Sequence, residues 1–143
     1  MAKLSDGVIV HALVSTTDAK KEQIRKIADW LLAQWRSGQI KSQIKPIKTG
    51  SFVLDIYLVG RAKMEKNVLS FEADNSFPRP DLAPRKSLGE IYLNLNYIKK
   101  NGEDFSFMLI HGFLHLLGYD HMKKNDRIEM EAQEELILKR LVL

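Results

Sequence analysis

The first hydrophobic run of the chain, VIVHAL (8–13), begins with three β-branched residues, which is typical of a strand. Threonine and aspartate at 16–18 follow it and can cap a helix, because their side-chain oxygens accept hydrogen bonds from free amides of the first turn. Apolar residues then recur at helical spacing on one stripe: Ile24, Ile27, Leu31 and Trp35. Gly38 is placed to end this helix. The pattern predicts a strand and then an amphipathic helix that extends to about Arg36.

The middle of the chain alternates between extended runs and loop signals. NVLSF (67–71) and EIYLNL (90–95) have the residue types of strands, and three prolines between them mark a loop. QIKSQIKPIK (39–48) alternates weakly and contains a proline, so it predicts at best an edge strand. SFVLDIYLVGR (51–61) is ambiguous, because its residue types favour a strand whereas its apolar positions also fit one face of a helix.

Two helices are predicted at the end of the chain. Helical spacing resumes near residue 104 and continues to 117, where Gly118 provides a natural stop. A last helix covers about 126–141 and is acidic through Glu129, Glu131, Glu134 and Glu135. Strands and helices are thus mixed along the chain, which predicts a single α+β domain over residues 1–143 with helices packed on one mixed β-sheet.

The composition narrows the functional classes. Hydrophobic residues make up 45% and charged residues 28% of the 143 positions, which is ordinary for a globular protein. The absence of cysteine excludes disulfides, thiolate catalysis and cysteine-based zinc fingers, and it suits a reducing compartment. The first residues lack the apolar core of a signal peptide, and the most apolar stretch, 105–117, is too short to span a bilayer. We therefore expect a soluble cytoplasmic protein without a membrane or disulfide-linked partner.

The net charge of +4 is distributed unevenly. Residues 1–66 hold 12 Lys and Arg against 6 Asp and Glu, whereas residues 67–143 hold 10 against 12. A basic first half is compatible with a phosphate-rich partner such as a nucleic acid, because bound lysines and arginines release condensed counterions. A solvated surface that happens to be rich in lysine explains the same numbers.

The strongest chemical signal is HGFLHLLGYDH (111–121), which holds three of the four histidines. His111 and His115 lie four residues apart, so they share one face of a helix. Gly118 allows a left-handed turn after that helix, and the turn can bring His121 to the same point. The spacing predicts a site for one transition metal.

Zinc is the default ion, although imidazole also suits copper, nickel and iron. Three neutral nitrogens leave a fourth tetrahedral position open for water, and they leave the charge of the ion undiminished. Such a site lowers the pKa of bound water to about 7, which predicts a catalytic rather than a structural metal.

The histidine spacing also matches the metzincin protease pattern, H-E-x-x-H-x-x-G-x-x-H. The position of the catalytic glutamate in that pattern is Gly112 here, and glycine cannot transfer a proton. A peptide amide has a poor leaving group that needs a proton, so the loss of the base is costly for a protease.

HGFLHLLGYDH resembles the signature of the YbeY family, metal-dependent endoribonucleases of ribosomal RNA maturation and ribosome quality control. GRAKMEKNVLSF (60–71) resembles the family's arginine followed by a Pro-Thr-Asp/Asn-Val-Leu-Ser-Phe strand, and SLGEIYLN (87–94) resembles its Leu-Gly-Asp strand. This chain departs from the pattern in a loop before Asn67 that is one residue shorter, and in Lys66, Glu72 and Glu90, which replace Thr, Pro and Asp.

The resemblance implies a zincin-like fold, a mixed sheet with the metal-binding helix near the C-terminus. It also implies a helix before the conserved arginine, which favours helix for 51–61. That arginine corresponds to Arg61 and lies in the metal cleft of the family, where a guanidinium can clamp a phosphodiester in a bidentate manner. Lys63 and Lys66 can extend this grip along an RNA strand, or they are ordinary loop lysines.

Three further residues are site candidates. Asp120 either accepts a hydrogen bond from an imidazole N–H or caps the turn after the helix. Ser70 and Asn67 line the cleft by family analogy; by residue type alone they are polar positions around a strand.

We therefore expect a zinc-dependent, single-strand-specific endoribonuclease with ribosomal RNA and the small ribosomal subunit as partners. Water or the ribose 2′-hydroxyl is its nucleophile, at a phosphodiester held by Arg61. One alternative is a non-catalytic ribosome- or RNA-binding factor that the metal stabilises. A less favoured one is a metzincin-like metalloprotease.

Overall fold

The computed structural model describes residues 5–42, 50–60, 66–73 and 79–142. Within these ranges the chain forms four strands and four helices. In chain order they are β1 (Gly7–Ala12), α1 (Asp18–Arg36), β2 (Phe52–Val59), β3 (Val68–Glu72), β4 (Lys86–Asn94), α2 (Leu95–Lys100), α3 (Phe105–Leu116) and α4 (Lys124–Val142). Helices packed on one mixed sheet confirm the predicted α+β class.

The sheet has the strand order β1-β2-β4-β3. β1, β2 and β4 run parallel, whereas β3 pairs antiparallel with β4 and forms one edge. One face of the sheet carries the hydrophobic core together with α1, α3 and α4. The strand residues of this core include Leu54, Ile56, Leu58, Ile91 and Leu93, and the helix residues include Leu31, Trp35, Leu109, Phe113 and Met130. α3 packs across β3 and β4, which places its histidines beside the sheet edge.

The segment before Arg61 forms β2, so the expectation of a helix over 51–61 is wrong. β2 lies between β1 and β4, and seven of its eight residues are buried. A parallel strand covered on both faces is apolar at nearly every position and lacks the alternation that marks a half-exposed strand. Its apolar residues therefore also fit a helical face, and only the preference of its residue types indicated a strand.

Capping residues set the bounds of the two helices that the sequence predicted best. The hydroxyl of Thr17 accepts a hydrogen bond from the amide of Lys20 at 3.0 Å, and α1 then continues to Arg36. The carboxylate of Asp104 accepts from the amide of Ser106 at 3.0 Å and opens α3. Both helices agree with the predicted bounds, because capping and helical spacing are local properties of the sequence.

Other sequence expectations had mixed outcomes. The strands at 67–71 and 90–95 are confirmed as β3 and β4 within a few residues, but the short helix α2 was not predicted. α2 begins where the side chain of Asn94 caps the amide of Tyr97 at 3.1 Å. In the segment 39–48, residues 43–48 lie outside the described ranges, and the described residues 39–42 form no strand. Within the described part of the chain, no helix is both long and apolar enough to cross a bilayer.

Candidate metal centre and cleft

α3 carries two of the three clustered histidines. His111 and His115 share one face of the helix, and their Nε2 atoms lie 3.1 Å apart. The helix then ends, and Gly118 adopts a φ of 95°, a left-handed conformation that favours glycine. This turn brings His121 back, so that its ring centroid lies 5.1 Å from that of His115. Ligand nitrogens of the three histidines all lie within 4.8 Å of one another.

A hydrogen bond at Nδ1 orients each of the two imidazoles on α3. Nδ1 of His111 lies 2.7 Å from Oε2 of Glu134, a residue of α4 that is only 4% exposed. Nδ1 of His115 lies 2.9 Å from the carbonyl oxygen of Tyr119. Because a carboxylate or a carbonyl only accepts, each Nδ1 carries the proton and donates it. Both Nε2 atoms are then unprotonated, and their lone pairs face each other.

The turn that carries this carbonyl is itself anchored. Tyr119 is 5% exposed, and its hydroxyl donates to the carbonyl oxygen of Lys41 at 2.9 Å. The amide of Tyr119 donates to the carbonyl of Leu114 at 3.1 Å, which closes the end of α3. The chain reversal between His115 and His121 is therefore held by contacts to two separate parts of the molecule.

The donor set fits a metal ion. Two neutral imidazoles with facing lone pairs repel each other unless a cation lies between them. Zinc–nitrogen bonds of about 2.0–2.1 Å in a tetrahedral site place two ligand nitrogens about 3.3 Å apart, close to the 3.1 Å between His111 and His115. Burial and then the nearby His111 lower the pKa of His115, against the opposing effect of the hydrogen bond that His115 donates to the carbonyl oxygen of Tyr119. A lowered pKa favours the neutral imidazole that a metal requires.

The histidines line a cleft of about 630 Å³. α3 and the turn after it form one wall, and Lys66 with the whole of β3 forms the opposite wall. The side chain of Ser70 points to the α3 side of the sheet, because Ser70 pairs with Ile91, a residue of the core on that face. The site is thus an open groove between a sheet edge and a helix.

The comparisons with known proteins agree with this arrangement. The family model described as "Endoribonuclease YbeY" matches residues 15–142. The chain belongs to the YbeY family. Proteins named Endoribonuclease YbeY include one from Rhodopseudomonas palustris, which is 41% identical over 83 residues; the alignment covers 52% of this chain and 43% of that protein.

Two further relatives carry the same name. The protein from Wolbachia sp. subsp. Drosophila simulans is 39% identical over 71 residues, covering 44% of this chain and 47% of its own length. The Staphylococcus epidermidis protein is 37% identical over 84 residues, covering 50% and 54%. The chain spans about half the length of the curated relatives it matches.

The site residues suggested by the YbeY resemblance have different positions. Arg61 and Lys63 lie outside the described residues. Lys66 and Ser70 line the cleft with the histidines. Asn67 lines an adjoining pocket of about 330 Å³ instead, and its Nδ2 donates to Oε2 of Glu103 at 2.9 Å. This hydrogen bond ties the start of β3 to the loop before α3, and the adjoining pocket shares Lys66 with the cleft.

Asp120 acts as a cap within the turn. Its Oδ1 accepts hydrogen bonds from the amides of His121 at 2.6 Å and Met122 at 3.1 Å. This is the second of the two alternatives for Asp120, and it orients the backbone that carries His121. For His111 and His115, the imidazole acceptors are Glu134 and the carbonyl oxygen of Tyr119.

Glu134 was missed as a site residue. It lies 23 positions after His111, and the sequence showed it only as one of four acidic residues of a predicted helix. Its burial at 4% exposure distinguishes it from Glu135, whose side chain is 72% exposed, but burial depends on how α4 packs on α3. The only signal available in the sequence was an acidic helix directly after the histidine cluster.

Gly112, which replaces the glutamate of the protease pattern, lies where α3 touches the sheet. A Cβ at this position would be 3.2 Å from methyl groups of Ile91 and Val68, tighter than an ordinary contact. The helix therefore approaches β3 and β4 closely because residue 112 has no side chain. The fourth histidine, His11, is separate from the cluster, since its Nε2 lies 2.8 Å from Oδ1 of the buried Asp55 on β2.

Proposed function

We propose that this YbeY-family chain is a metal-dependent hydrolase that cleaves single-stranded RNA. One observation carries the proposal. Hydrogen bonds at Nδ1 orient His111 and His115 so that their unprotonated Nε2 atoms point to the same place, with His121 beside them. That point opens into a groove large enough for part of a nucleotide strand. The finer parts of the proposal are zinc as the ion, a role in ribosomal RNA maturation on the small ribosomal subunit, and a cytoplasmic location.

His111, His115 and His121 would hold the ion. When bound, such an ion supplies positive charge that polarises a phosphodiester and makes water acidic enough to act as a nucleophile near neutral pH. Glu134 and the carbonyl of Tyr119 keep the two helical imidazoles in the tautomer that exposes Nε2. The carboxylate of Glu134 also makes the imidazole of His111 a stronger ligand.

Cationic side chains would hold the phosphate. Lys66 is exposed and lines the cleft on the wall opposite the histidines, so its ammonium can neutralise a phosphate that lies across the groove. Arg61 is proposed as the bidentate clamp on the scissile phosphodiester, and Lys63 as a further contact along the strand. Positive charge from these side chains and from the ion would offset the charge that develops on the phosphate oxygens during cleavage.

The neighbourhood of His111 argues for a phosphodiester over a peptide. Gly112 provides no proton-transferring group, and its backbone is packed against Ile91 and Val68. A peptide amine leaves only after it is protonated, whereas an alkoxide leaving from phosphorus is helped directly by positive charge. Either water or the ribose 2′-hydroxyl can attack. The products distinguish them, because only the 2′-hydroxyl leaves a cyclic phosphate.

A side-by-side assay tests the proposal. Metal-loaded and chelated protein are incubated with labelled single-stranded RNA and with casein, and His115→Ala is carried through the same series. We expect RNA cleavage by the metal-loaded wild type alone and no loss of casein. Casein cleavage that is lost on chelation would show a protease instead. RNA binding without any cleavage, in protein shown to contain metal, would show a non-catalytic RNA-binding factor.

A further inference from the structure

Among the described residues, β3 is an edge strand of the sheet, and it is also one wall of the cleft. It pairs with β4 on one side, and all five of its residues line the groove that contains the histidines. An edge strand carries a row of backbone N–H and C=O groups without strand partners. In this molecule that row lies directly beside the candidate metal centre.

The register shows which residues of β3 direct their backbone outwards. The amide of Asn94 donates to the carbonyl of Asn67 at 3.0 Å, so Asn67 turns its backbone towards β4. In an antiparallel pair, successive residues turn their backbone groups alternately towards and away from the partner strand. The backbone groups of Leu69 and Phe71 therefore turn towards β4, whereas those of Ser70 and Glu72 turn away from it, on a strand that lines the cleft.

Val68 is the third residue whose backbone turns outwards, but its amide is already used. The side chain of Asn67 accepts a hydrogen bond from it at 2.8 Å. The outward groups of Ser70 and Glu72 lie about 7 Å apart, since a strand rises about 3.4 Å per residue. Each of the two residues has one backbone donor and one acceptor that turn away from β4.

We propose that the outward N–H and C=O groups of Ser70 and Glu72 pair with the base edges of the single-stranded RNA substrate. This inference rests on the proposed function and names how its substrate is recognised. A nucleobase carries adjacent donors and acceptors on its Watson–Crick edge, as a strand edge does. A duplex has those edges occupied, so pairing with β3 selects for unpaired bases.

An extended peptide could add to the same edge by backbone pairing. The neighbouring residues favour RNA. Lys66 lies at the start of β3 in the same groove and offers a cation to a phosphate, and Gly112 provides no acid for peptide cleavage. The bases would then lie along β3 while the phosphates follow Lys66 and the metal centre.

Proline substitution tests the backbone donor directly. Ser70→Pro removes the outward amide N–H, and proline is tolerated on an edge strand where the amide does not join the ladder. Ser70→Ala is its reference, because it removes the hydroxyl and keeps the amide. Ala12→Pro is the matched control: Ala12 is exposed and belongs to β1, on the opposite edge of the sheet from the cleft.

The readouts are KM and kcat on a short oligouridylate, binding of a duplex that contains it, metal content and thermal unfolding. We expect Ser70→Pro to raise KM for the single strand about tenfold over Ser70→Ala, with metal content, unfolding temperature and duplex binding unchanged. Ala12→Pro should match the wild type. If Ser70→Pro and Ser70→Ala have equal KM while wild type cleaves RNA, the edge does not read bases and the proposed function stands.

Two further measurements test the inference if Ser70→Pro does not fold, or if the strand edge binds a peptide instead of RNA. An oligomer of 3-methyluridine lacks the base N–H, so wild-type KM for it should also rise about tenfold, and an unchanged KM would overturn the proposal. If the wild type cleaves casein and Ser70→Pro does not, the edge of β3 binds a peptide and not RNA. A wild type that never cleaves RNA would refute the proposed function itself.

Discussion

At the scale of single residues, Glu134 shows how a side chain outside the motif completes a site. Its carboxylate fixes the ring of His111 at 2.7 Å and is nearly excluded from solvent. A carboxylate that accepts from a ligating imidazole both orients the ring and strengthens its bond to a metal. The residue is therefore a positioning group that acts through His111.

Glu134→Gln should weaken metal binding by about tenfold, within the range seen when such outer partners are changed. The amide can still accept from His111, but it lacks the negative charge. Competition with a chromophoric chelator measures the affinity without reference to catalysis. Glu135→Gln is the control on the same helix, since Glu135 is exposed and pairs with Lys139 at 3.5 Å. Equal affinity for both variants would show that Glu134 is only a packing residue.

The lowered pKa of His115 predicts how the metal-free protein responds to acid. Burial disfavours the protonated ring in the folded state, whereas the unfolded chain takes up a proton near pH 6.5. The unfolded state then binds more protons, so stability is lost as pH falls through about 6.5. Thermal unfolding of chelated protein between about pH 7.5 and 5.5 should show this loss, and His115→Ala should reduce it. A pH-independent difference between the two proteins would contradict the assignment.

At the scale of elements, the contact between α3 and the sheet sets where the histidines lie. Gly112 allows the helix to approach Val68 and Ile91 closely. His111 and His115 of the same helix line the cleft. The glycine that removes a protease-like base is therefore also a packing residue. A Cβ at 112 would require Ile91, Val68 or α3 to shift by a few tenths of an ångström.

Gly112→Ala should be no more stable than the wild type, because overpacking of two branched side chains offsets the roughly 1 kcal/mol that alanine normally gains over glycine inside a helix. Val68→Ala removes one of those neighbours, so the double variant should be more stable than the sum of the single changes predicts. Urea unfolding of the four proteins gives the coupling free energy. Additive effects would show that the helix accommodates the methyl elsewhere.

Gly112→Glu tests whether the missing acid alone separates this site from a protease. We expect no casein cleavage, because the new side chain must first displace the contact with the sheet. RNA cleavage should fall, since a carboxylate beside His111 repels phosphate. Metal-loaded wild type and variant are assayed together on both substrates. Undiminished RNA cleavage would show that position 112 does not affect the groove.

At the scale of the whole molecule, Asp6 joins the start of β1 to the end of α1 and the start of β2. Its carboxylate binds Nε and Nη2 of Arg36 at 2.9 and 2.7 Å and accepts from the amide of Phe52 at 2.7 Å. Burial alone would raise the pKa of Asp6, but these hydrogen bonds outweigh it and lower the pKa. The ionised carboxylate is thus part of the folded state.

Asp6→Asn should cost about 2 kcal/mol at neutral pH, since hydrogen bonds to charged groups are stronger than neutral ones. A lowered pKa contributes stability above the unfolded value near 3.9, and that stability is lost as pH falls through the folded value. Urea unfolding at neutral and at acidic pH measures both. The difference between variant and wild type should shrink below about pH 4. A constant difference would mean that the charge contributes nothing.

The sequence by itself determined the features that depend on near neighbours. Thr17 and Asp104 cap helices because their oxygens reach amides two or three residues away. The spacing of His111 and His115 and the turn at Gly118 placed both imidazoles on one face and reversed the chain towards His121, which is where the structure has them. The family was recognisable for the same reason, since its signature is contained in eleven consecutive residues.

The tertiary structure decided what depends on distant partners. β2 is a strand because β1 and β4 pair with it on both sides, and its uniform burial hid the alternation that would have shown this in the sequence. Glu134 meets His111 only after α4 folds back on α3. The outward backbone of Ser70 follows from its register with β4. Hydrogen bonds and burial between segments far apart in the chain leave no fixed spacing, so no local pattern could have shown them.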